Sequence, residues 1–390
     1  MIPVTEALDN LFSLVNPLDT EEVPLAEAAG RVLARPVTAT RQQPPFAASA
    51  MDGYAVNGVE ADPEAMFRVI GESAAGHGFD GRLGAGQCVR IFTGAPMPEG
   101  ANRVIIQEDV TRKGDLITLG RKLDKGPHVR PAGADFAVGD QVEAPLMLTP
   151  AHLALIAAMN TPKVQVYRKP VVALMATGDE LVMPGEDPGP DQIISSNTFG
   201  LKALIEENGG EARMLPIARD NHDSLRMAFE LCAGADLIVT IGGASVGDHD
   251  LVGEVTEELG MVRSFYKVAM RPGKPLMAGK LGDTPVIGLP GNPVSAMVCG
   301  HVFLVPALRA MQGVGKAAAP RYTARLGAGI SANGPREHYM RAVVENGEIT
   351  ACNQQDSALL SVLAGANALL IRPVSDPDQP AGTLVEYLAI

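Results

Sequence analysis

Three glycine-containing segments, each following an apolar run of strand length, contain the residues best suited to chemistry. They read Thr-Gly-Asp-Glu at 177–180, Gly-Gly-Ala-Ser-Val-Gly-Asp-His-Asp at 242–250 and Gly-Leu-Pro-Gly-Asn-Pro at 288–293. Glycines let backbone N–H groups approach an anion, and a helix that follows presents its positive N-terminus there. A tight strand-to-helix turn explains any one segment. Because all three are predicted at one sheet edge, and two contain carboxylates, together they indicate a phosphate site with a metal.

The residue types near these segments favour magnesium over zinc. The available ligands are carboxylates, and the seven histidines are scattered, so that His249 is most simply a turn residue. The cysteines stand singly at Cys88, Cys232, Cys299 and Cys352, which predicts no zinc finger, iron–sulfur cluster or disulfide framework. Neither G-x-G-x-x-G nor G-x-x-x-x-G-K-[ST] occurs, so neither a Rossmann dinucleotide site nor a P-loop is supported.

A short basic segment offers the opposite charge. Lys267, Arg271 and Lys274 flank a Pro-Gly turn at 272–273, with apolar residues on either side at 265–266 and 275–277. A solvated charge run is the simplest explanation, but the apolar flanks indicate cations held at a strand end. Such a local positive site within a chain of net charge −13 suits an enzyme that handles polyanions.

Alternating strands and helices position these segments. Strands are predicted at 171–176, 237–241, 262–268 and 286–289, and helices at 197–208, 223–233, 250–259 and 294–311. The alternation implies a doubly wound parallel sheet, in which ligands bind beyond the carboxyl ends of the strands.

The rest of the chain predicts further domains, since 390 residues exceed one ordinary core. Residues 4–15 have the spacing of an amphipathic helix, and short helices are predicted at 25–34 and 150–159. Short apolar runs at 67–70, 88–92 and 104–106 between Gly- and Pro-rich turns indicate a β-rich module over 41–137. After a small-residue linker near 316–320, Asn346-Gly347 predicts a tight hairpin in a β-rich tail.

Composition excludes several classes of function. The charge balance of 32 basic against 45 acidic residues, with no Trp, argues against a nucleic-acid binder. The first basic residue is Arg31, which argues against a signal peptide, and the uncharged stretch 284–308 is interrupted by prolines that a membrane span tolerates poorly. We therefore expect a cytoplasmic protein.

Six segments, in order, resemble the molybdopterin molybdenumtransferase family, the molybdate-inserting enzymes of molybdenum cofactor synthesis, to which the C-terminal domain of gephyrin is related. They are Ser-Ala-Met-Asp-Gly-Tyr-Ala at 49–55, Thr-Gly-Ala-Pro-Met-Pro-Glu-Gly at 93–100, Thr-Gly-Asp-Glu-Leu at 177–181, Gly-Gly-Ala-Ser-Val-Gly-Asp at 242–248, Pro-Gly-Lys-Pro at 272–275 and Gly-Leu-Pro-Gly-Asn-Pro at 288–293. Each is weak alone, but six in order over almost the whole chain are specific.

The resemblance implies a multidomain α/β plus β architecture. A connecting region (1–40 with 138–169) contains the inserted β-rich module 41–137. A doubly wound α/β domain of the molybdopterin-binding type follows at 170–315, and a C-terminal β-barrel-like domain at 316–390. Members of the family are homodimers, whose cleft combines the inserted module of one chain with the α/β domain of the other.

The resemblance also implies roles for individual residues. The catalytic residues would be Asp52, Thr93, Asp135, Glu180, Asp220, Asp250, Lys267 and Lys274, with Glu180 and Asp250 as magnesium ligands. Molybdate would bind to Arg271, Ser295, Arg341 and Ser357. The molybdopterin-binding residues would be Gly242, Gly243, Ser245, Gly247, Pro290, Gly291 and Asn292.

The chain departs from the family pattern at three places. Arg271 replaces the common Lys, which changes the hydrogen-bond geometry while keeping the charge. Gly133-Ala134 precedes Asp135 without the usual glutamate, and Gln355-Asp356 precedes Ser357 in place of the usual Gly. None of these changes removes a central residue.

The implied activity is transfer of molybdenum from molybdate to the dithiolene of adenylylated molybdopterin, with release of AMP and with Mg²⁺ as cofactor. The adenylyltransferase of the pathway and the apoenzymes that receive the cofactor are candidate partners, with no role for nucleic acid or membrane. One alternative is a molybdopterin adenylyltransferase, which needs only the single α/β domain. Another is a catalytically silent scaffold or paralogue that binds molybdopterin, which loss of the carboxylates would have indicated.

Overall fold

The computed structural model describes residues 1–242 and 251–390. Residues 1–169 form a connecting region and an inserted β module. Their elements are α1 (Val4–Leu14), β1 (Thr20–Pro24), β2 (Val32–Leu33), β3 (Val37–Thr38), β4 (Ala48–Ser49), β5 (Gly53–Val56), β6 (Met66–Ser73), β7 (Gln87–Ile91), β8 (Arg103–Ile106), β9 (Val110–Lys113), β10 (Leu116–Leu119), β11 (Val129–Arg130), β12 (Gln141–Val142), β13 (Leu146–Met147), α2 (Pro150–Ala158) and β14 (Lys163–Tyr167).

The connecting region is built from the chain on both sides of the insertion. Its sheet has the order β1-β14-β2-β13, so strands before the insertion pair with strands after it. The chain leaves and re-enters this region side by side, because β3 pairs with β12. The predicted helix over 25–34 is wrong: a 3-10 turn at Leu25–Glu27 is followed by β2, whose two side chains are buried in the sheet.

The inserted module is a six-stranded sheet of order β8-β5-β7-β6-β10-β9, antiparallel except where β6 and β7 run parallel. The three apolar runs that predicted strands lie in β6, β7 and β8. The module has its own buried side chains, Phe67, Ile105 and Ile117 among them. The prediction of a β-rich insertion is confirmed.

The α/β domain follows with two layers of helix around a central sheet. Its elements are β15 (Val171–Ala176), β16 (Leu181–Val182), β17 (Ile193–Ile194), α3 (Asn197–Glu207), β18 (Glu211–Met214), α4 (His222–Glu230), β19 (Leu237–Ile241), α5 (Leu251–Glu258), β20 (Met261–Tyr266), β21 (Met270–Arg271), β22 (Met277–Leu281), β23 (Thr284–Leu289), α6 (Pro293–Cys299), a π-helical turn (Gly300–Leu304) and α7 (Val305–Met311).

The central sheet has the order β18-β15-β19-β23-β22-β20. The first four strands are parallel, as predicted. β22 runs antiparallel to both β23 and β20, so one strand is reversed and the sheet is mixed rather than wholly parallel. The sequence did not predict β22, because Met-Ala-Gly-Lys-Leu lacks the β-branched residues that mark a strand. Gly282, with a φ of +59°, and Asp283 join it to β23 in a two-residue turn.

One long helix forms the centre of the largest core. α6, the π-helical turn and α7 run continuously over Pro293–Met311, which is apolar and long enough to cross a membrane, but its most apolar window is 83% buried within the protein. Pro306 has no N–H to donate to the preceding turn, where the helix adopts the π form. The apolar face of α1 packs on the same core, as its spacing predicted.

The C-terminal domain is a closed barrel. Its elements are β24 (Tyr322–Leu326), β25 (Glu337–Glu345), β26 (Glu348–Ala351), α8 (Leu360–Ala364), β27 (Ala368–Arg372) and β28 (Leu384–Ala389). The strand order β25-β26-β24-β28-β27 closes because β27 also pairs with β25. Asn346 and Gly347 have φ values of +52° and +83°, which confirms the predicted hairpin. β21 of the α/β domain adds to the barrel beside β25 and so ties the two domains together.

Candidate functional site

The ends of three parallel strands meet at one edge of the α/β sheet. The N–H of Thr177 donates to the carbonyl of Ile241 (3.1 Å), and the N–H of Gly242 donates to that of Leu289 (3.1 Å). Gly242 has a φ of +89°, and a Cβ there would lie 2.9 Å from the Thr177 carbonyl oxygen. A Cβ on Gly291 would lie 3.5 Å from the Cα of Gly242. The three strand ends therefore pack closely, with glycine backbone where they meet.

Of the remaining predicted cofactor-binding residues, some are described by the structure and others lie outside the described residues. Pro290 is buried at the end of β23, and the exposed Asn292 precedes α6. Gly243, Ser245, Gly247 and Asp250 lie outside the described residues.

The turn after β15 holds Glu180 at this edge. Glu180 is exposed, and its carboxylate folds back over Gly178, where a Cβ would lie 2.4 Å from Oε2. Arg219 fixes the turn, because its Nη1 donates to the carbonyls of Gly178 (3.5 Å), Asp179 (3.1 Å) and Leu181 (3.2 Å). Only glycine at 178 leaves room for this carboxylate position.

Asp220 lies beside that turn. Its N–H donates to Oδ1 of Asp179 (3.2 Å), so Asp179 bonds across to the neighbouring loop rather than within its own turn. Burial raises the pKa of Asp220 above its ordinary value, and the negative charges of Asp179 and Glu180 raise it further. Asp179, Glu180 and Asp220 together are called the carboxylate edge below.

The carboxylate edge fits an open magnesium site better than a closed metal cage. Among residues 1–242 and 251–390, no group of three or more His, Cys, Asp or Glu side chains is close enough to enclose a metal. Magnesium usually takes one or two carboxylates, with water and substrate phosphate as its other ligands. A nearby cation would also offset the repulsion by which Asp179 and Glu180 raise the pKa of Asp220. Carboxylates alone, without imidazole or thiolate, are the donor chemistry that Mg²⁺ prefers.

Asp52 and Thr93 lie together on the inserted module. The carboxylate of Asp52 accepts both the N–H (2.8 Å) and the hydroxyl (2.8 Å) of Thr93, and these two bonds hold the pKa of Asp52 below its ordinary value. Arg90 supports the loop: it donates to the Gly53 carbonyl (3.0 Å) and lies against the rings of Tyr54 and Phe92. Within the described part of the chain, no hydrogen bond or ion pair joins Asp52 or Thr93 to the α/β domain.

Asp135 lies apart from both groups. It is exposed after β11, near the neck of the inserted module, and its N–H donates to the carbonyl of Gln43 (2.9 Å). Its carboxylate forms no hydrogen bond or ion pair with any residue that the structure describes. Within the described part of one chain, therefore, no hydrogen bond or ion pair joins its carboxylate to another predicted catalytic residue.

The basic segment crosses from the α/β sheet to the barrel. Lys267 has a φ of +69° and its Nζ lies 4.8 Å from the ring centre of Tyr266, while Lys274 is exposed. Arg271, on β21, lies opposite His338 on β25. Gly273 packs against α6 so tightly that a Cβ would lie 2.4 Å from Sγ of Cys299. The turn between Arg271 and Lys274 is thereby held against the C-terminal end of α6.

Arg341 is the most unusual residue of the barrel. Its side chain is completely buried, and its Nη2 donates to the Gln354 carbonyl (3.0 Å), but Nε and Nη1 have no hydrogen-bond partner among residues 1–242 and 251–390. Burial lowers its pKa, and the charge of Arg271 lowers it further. An unpaired buried donor costs on the order of 1–3 kcal/mol, and more when charged. An anion bound beside Arg341 would remove that cost.

Ser357 brings the barrel onto the start of α6. The N–H of Val294 donates to the Ser357 carbonyl (3.1 Å), and the amide of Asn292 donates to the Ser357 hydroxyl (3.3 Å). Ser295 is buried one residue further along the helix. Since Gln354 and Gln355 also bond to Arg341, segment 354–357 links the start of α6 to Arg341, and Arg271 is close enough to affect the pKa of Arg341. Arg271, Ser295, Arg341 and Ser357 with the start of α6 are called the oxyanion pocket below.

Several supporting residues were not found from the sequence, because their roles depend on contacts between distant segments. They are Arg90, Asn197 (whose amide donates to the Gly291 carbonyl, 2.7 Å), Arg219, His338 and Gln355. Burial lowers the pKa of His338 to about 4, and Arg271 and Arg341 reinforce the shift, so the imidazole is neutral at pH 7.

Three family descriptions match successive parts of the chain. The MoeA N-terminal region (domains I and II) matches residues 2–160, the probable molybdopterin binding domain matches 173–310, and the MoeA C-terminal region (domain IV) matches 323–390.

Characterised relatives are similar over most of their length. A molybdopterin molybdenumtransferase from Nostoc sp. is 35% identical over 96% of this chain and 91% of its own, and one from Haemophilus influenzae is 39% identical over 78% and 76%. The crystal structure of a molybdopterin biosynthesis MoeA protein from Pyrococcus horikoshii is 31% identical, with a TM-score of 0.82 over 100% of this chain and 99% of its own.

Proposed function

The chain belongs to the MoeA family of molybdopterin molybdenumtransferases, and we propose that it transfers molybdenum from molybdate to adenylylated molybdopterin with release of AMP. The observation that carries this proposal is Arg341, a fully buried guanidinium with two unpartnered nitrogens in the oxyanion pocket. A tetrahedral oxyanion such as molybdate supplies acceptors for both.

The oxyanion pocket recognises its substrate by charge and by directed donors. Arg341 and Arg271 supply positive charge, while the α6 N-terminus and the hydroxyls of Ser295 and Ser357 add polar contacts. Because the pocket joins the barrel to the α/β domain, molybdate would be held near the strand ends where the pterin substrate would bind. Positioning of this kind accounts for a large part of catalysis between two bound reactants.

The carboxylate edge is assigned to the adenylate phosphate. Glu180 and Asp220 would hold Mg²⁺, which when bound neutralises negative charge on that phosphate. Arg219 fixes the backbone of the turn that carries Glu180 through three carbonyls. The assignment of Asp250 as a second ligand stays a prediction, as do catalytic roles for Lys267, Lys274 and Asp135.

We propose a homodimer in which Asp52 and Thr93 complete the site of the partner chain. This is supported by the lack of any bond from these residues to the α/β domain of their own chain, among the residues described. The exposed apolar side chains of Phe46 and Met51, next to Asp52, fit a face that another chain covers. The activity would take place in the cytoplasm, as the four unpaired cysteines suggest.

Complementation tests the shared site. Inactive Asp52→Asn and inactive Glu180→Gln proteins, mixed under conditions of verified subunit exchange, should recover activity in hybrid dimers that have one intact site. Failure to recover activity would contradict the shared site but not the reaction.

Turnover tests the reaction itself. With adenylylated molybdopterin, Mg²⁺ and molybdate, the protein should release AMP, and leaving out molybdate should stop the release. Tight binding without AMP release would favour the silent scaffold, against which the retained carboxylates already argue. Formation of adenylylated molybdopterin from ATP would favour the adenylyltransferase, which the inserted module and barrel argue against.

A further inference from the structure

Cys352 and Arg341 are neighbours on adjacent segments of the barrel wall. Strands β25 and β26 pair with Ala342 opposite Ala351, and the N–H of Cys352 donates to the Arg341 carbonyl (2.9 Å). Residues opposite each other in an antiparallel pair point to the same face, with Cβ atoms about 4.5–5.5 Å apart. Continued by one position past the end of β26, this register makes Cys352 the cross-strand neighbour of Arg341.

Gln355 fixes this arrangement. Its side-chain oxygen accepts the N–H of Arg341 (3.0 Å), and its amide donates to the carbonyls of Arg341 (2.9 Å) and Cys352 (2.8 Å). These bonds hold the backbone of Cys352 beside that of Arg341. A negative charge introduced at position 352 would oppose the lowering of the Arg341 pKa by burial.

The other three cysteines are in a different setting. Cys88, Cys232 and Cys299 are buried, and burial raises the pKa of Cys88 to about 12, that of Cys232 to about 11 and that of Cys299 still higher. Cys352 is only partly buried. Reagents reach exposed thiols first, so Cys352 is the cysteine that an oxidant in solution should meet.

We propose that Cys352 is an oxidation site of the oxyanion pocket, where hydrogen peroxide converts the thiol to an acid whose oxygens take the donors of Arg341. In the first step an S–O bond forms as the peroxide O–O bond breaks, giving sulfenic acid and water. A second peroxide gives sulfinic acid and a second water. Sulfur is oxidised and peroxide is reduced in each step.

The sulfinate would compete with the substrate for one cation. Its two oxygens share one negative charge and can accept hydrogen bonds from the side chain of the cross-strand neighbour. In the described part of the chain, Nε and Nη1 of Arg341 are donors without a partner. Oxidised protein should therefore lose affinity for molybdate and tungstate, whereas its adenylylated molybdopterin site should be unaffected. This inference rests on the proposed function of Arg341.

The experiment follows the thiol and the pocket separately. The full-length protein is treated with hydrogen peroxide, with and without saturating tungstate, and peptide mass spectrometry locates the added oxygen. Calorimetry then measures the tungstate affinity of the product. We expect Cys352 to be oxidised before Cys232, tungstate to slow this reaction, and oxidation to weaken tungstate binding by about tenfold or more.

Cys352→Ser is the matched control, with each protein compared with its own untreated sample. Its tungstate affinity should be insensitive to peroxide, which separates the effect of Cys352 from methionine oxidation. Oxidation of Cys232 before Cys352, or sulfinate at Cys352 with unchanged tungstate affinity, would overturn the inference. If tungstate neither binds nor protects while Cys352 is still oxidised first, the oxyanion pocket itself is wrong and the inference fails with it.

Discussion

Two buried arginines of the barrel, Arg341 and Arg372, show how the same residue type serves different ends. Arg372 donates to the Asp376 carboxylate (2.5 Å) and to the carbonyls of Ser331 (3.0 Å) and Pro377 (2.8 Å). Arg341 is equally buried, yet its side chain donates to the Gln354 carbonyl and to no other residue in the described part of the chain. The chain satisfies Arg372 itself and leaves Arg341 for a ligand, which marks the first as structural and the second as functional.

Loss of Arg372 should give the largest effect on stability. Arg372→Met leaves Asp376 without its cation, and removing one partner of a buried pair costs about 3–5 kcal/mol. Urea unfolding followed by circular dichroism measures the change. Arg341→Met is the matched control and should cost under about 1 kcal/mol, since it removes one hydrogen bond and two unsatisfied donors. Equal losses in the two variants would break the comparison.

The carboxylate edge differs from both arginines because water reaches it. Glu180→Gln should fold normally and bind molybdate, but release AMP about tenfold more slowly or worse, because a lost charge-assisted contact costs ~1.5–3 kcal/mol. Excess Mg²⁺ should give little rescue. Asp187→Asn, an exposed acid on the loop after β16, is the control and should keep the parent rate.

Asp179, the neighbour of Glu180, should serve the structure of the turn rather than the reaction. Asp179→Ala removes the acceptor of the Asp220 N–H and should lower the free energy of unfolding by ~1 kcal/mol. Thermal unfolding and AMP release per folded molecule separate the two effects. A rate loss as large as that of Glu180→Gln, without loss of stability, would contradict the division of roles at the turn.

The smallest effects are shifts in stability with pH, and they should have opposite signs at Asp220 and Asp52. The pKa of Asp220 is higher in the folded protein than in the unfolded chain, so the folded state loses stability as pH rises above the unfolded-state pKa. Asp220→Asn removes this loss and should raise the melting temperature near neutral pH. The pKa of Asp52 is lower in the folded protein than in the unfolded chain, so ionised Asp52 stabilises the fold at pH values above the unfolded-state pKa. This stabilisation is lost as pH falls through the folded-state pKa. Asp52→Asn should therefore lower the melting temperature at neutral pH and have little effect in acid. Shifts of the same sign would contradict the two environments.

Local patterns predicted the elements that carry the site. Apolar runs identified β15, β19 and β23, and the strand ends correctly placed Glu180 and Gly242 at one edge. The resemblance paired Asp52 with Thr93, which are 41 positions apart and share hydrogen bonds.

Contacts between distant segments could not be predicted in this way. The barrel closes through β25 and β27, and Ser357 reaches α6 across 62 intervening residues only because that closure brings it there. Arg219 has no sequence signature, since its value lies in the three carbonyls that the turn at 178–181 presents to it. The isolation of Asp135 follows from the neck of the inserted module rather than from any local pattern.

Titration of Arg341→Met with molybdate tests whether Arg341 binds the oxyanion substrate. Calorimetric titration of the parent and variant with molybdate, and separately with adenylylated molybdopterin, compares the two substrates on the same protein. The account predicts a ten- to hundredfold loss of molybdate affinity, roughly 1.5–3 kcal/mol, with pterin affinity nearly unchanged. Unchanged molybdate affinity, or equal weakening of both ligands, would contradict the assignment of Arg341 to the oxyanion.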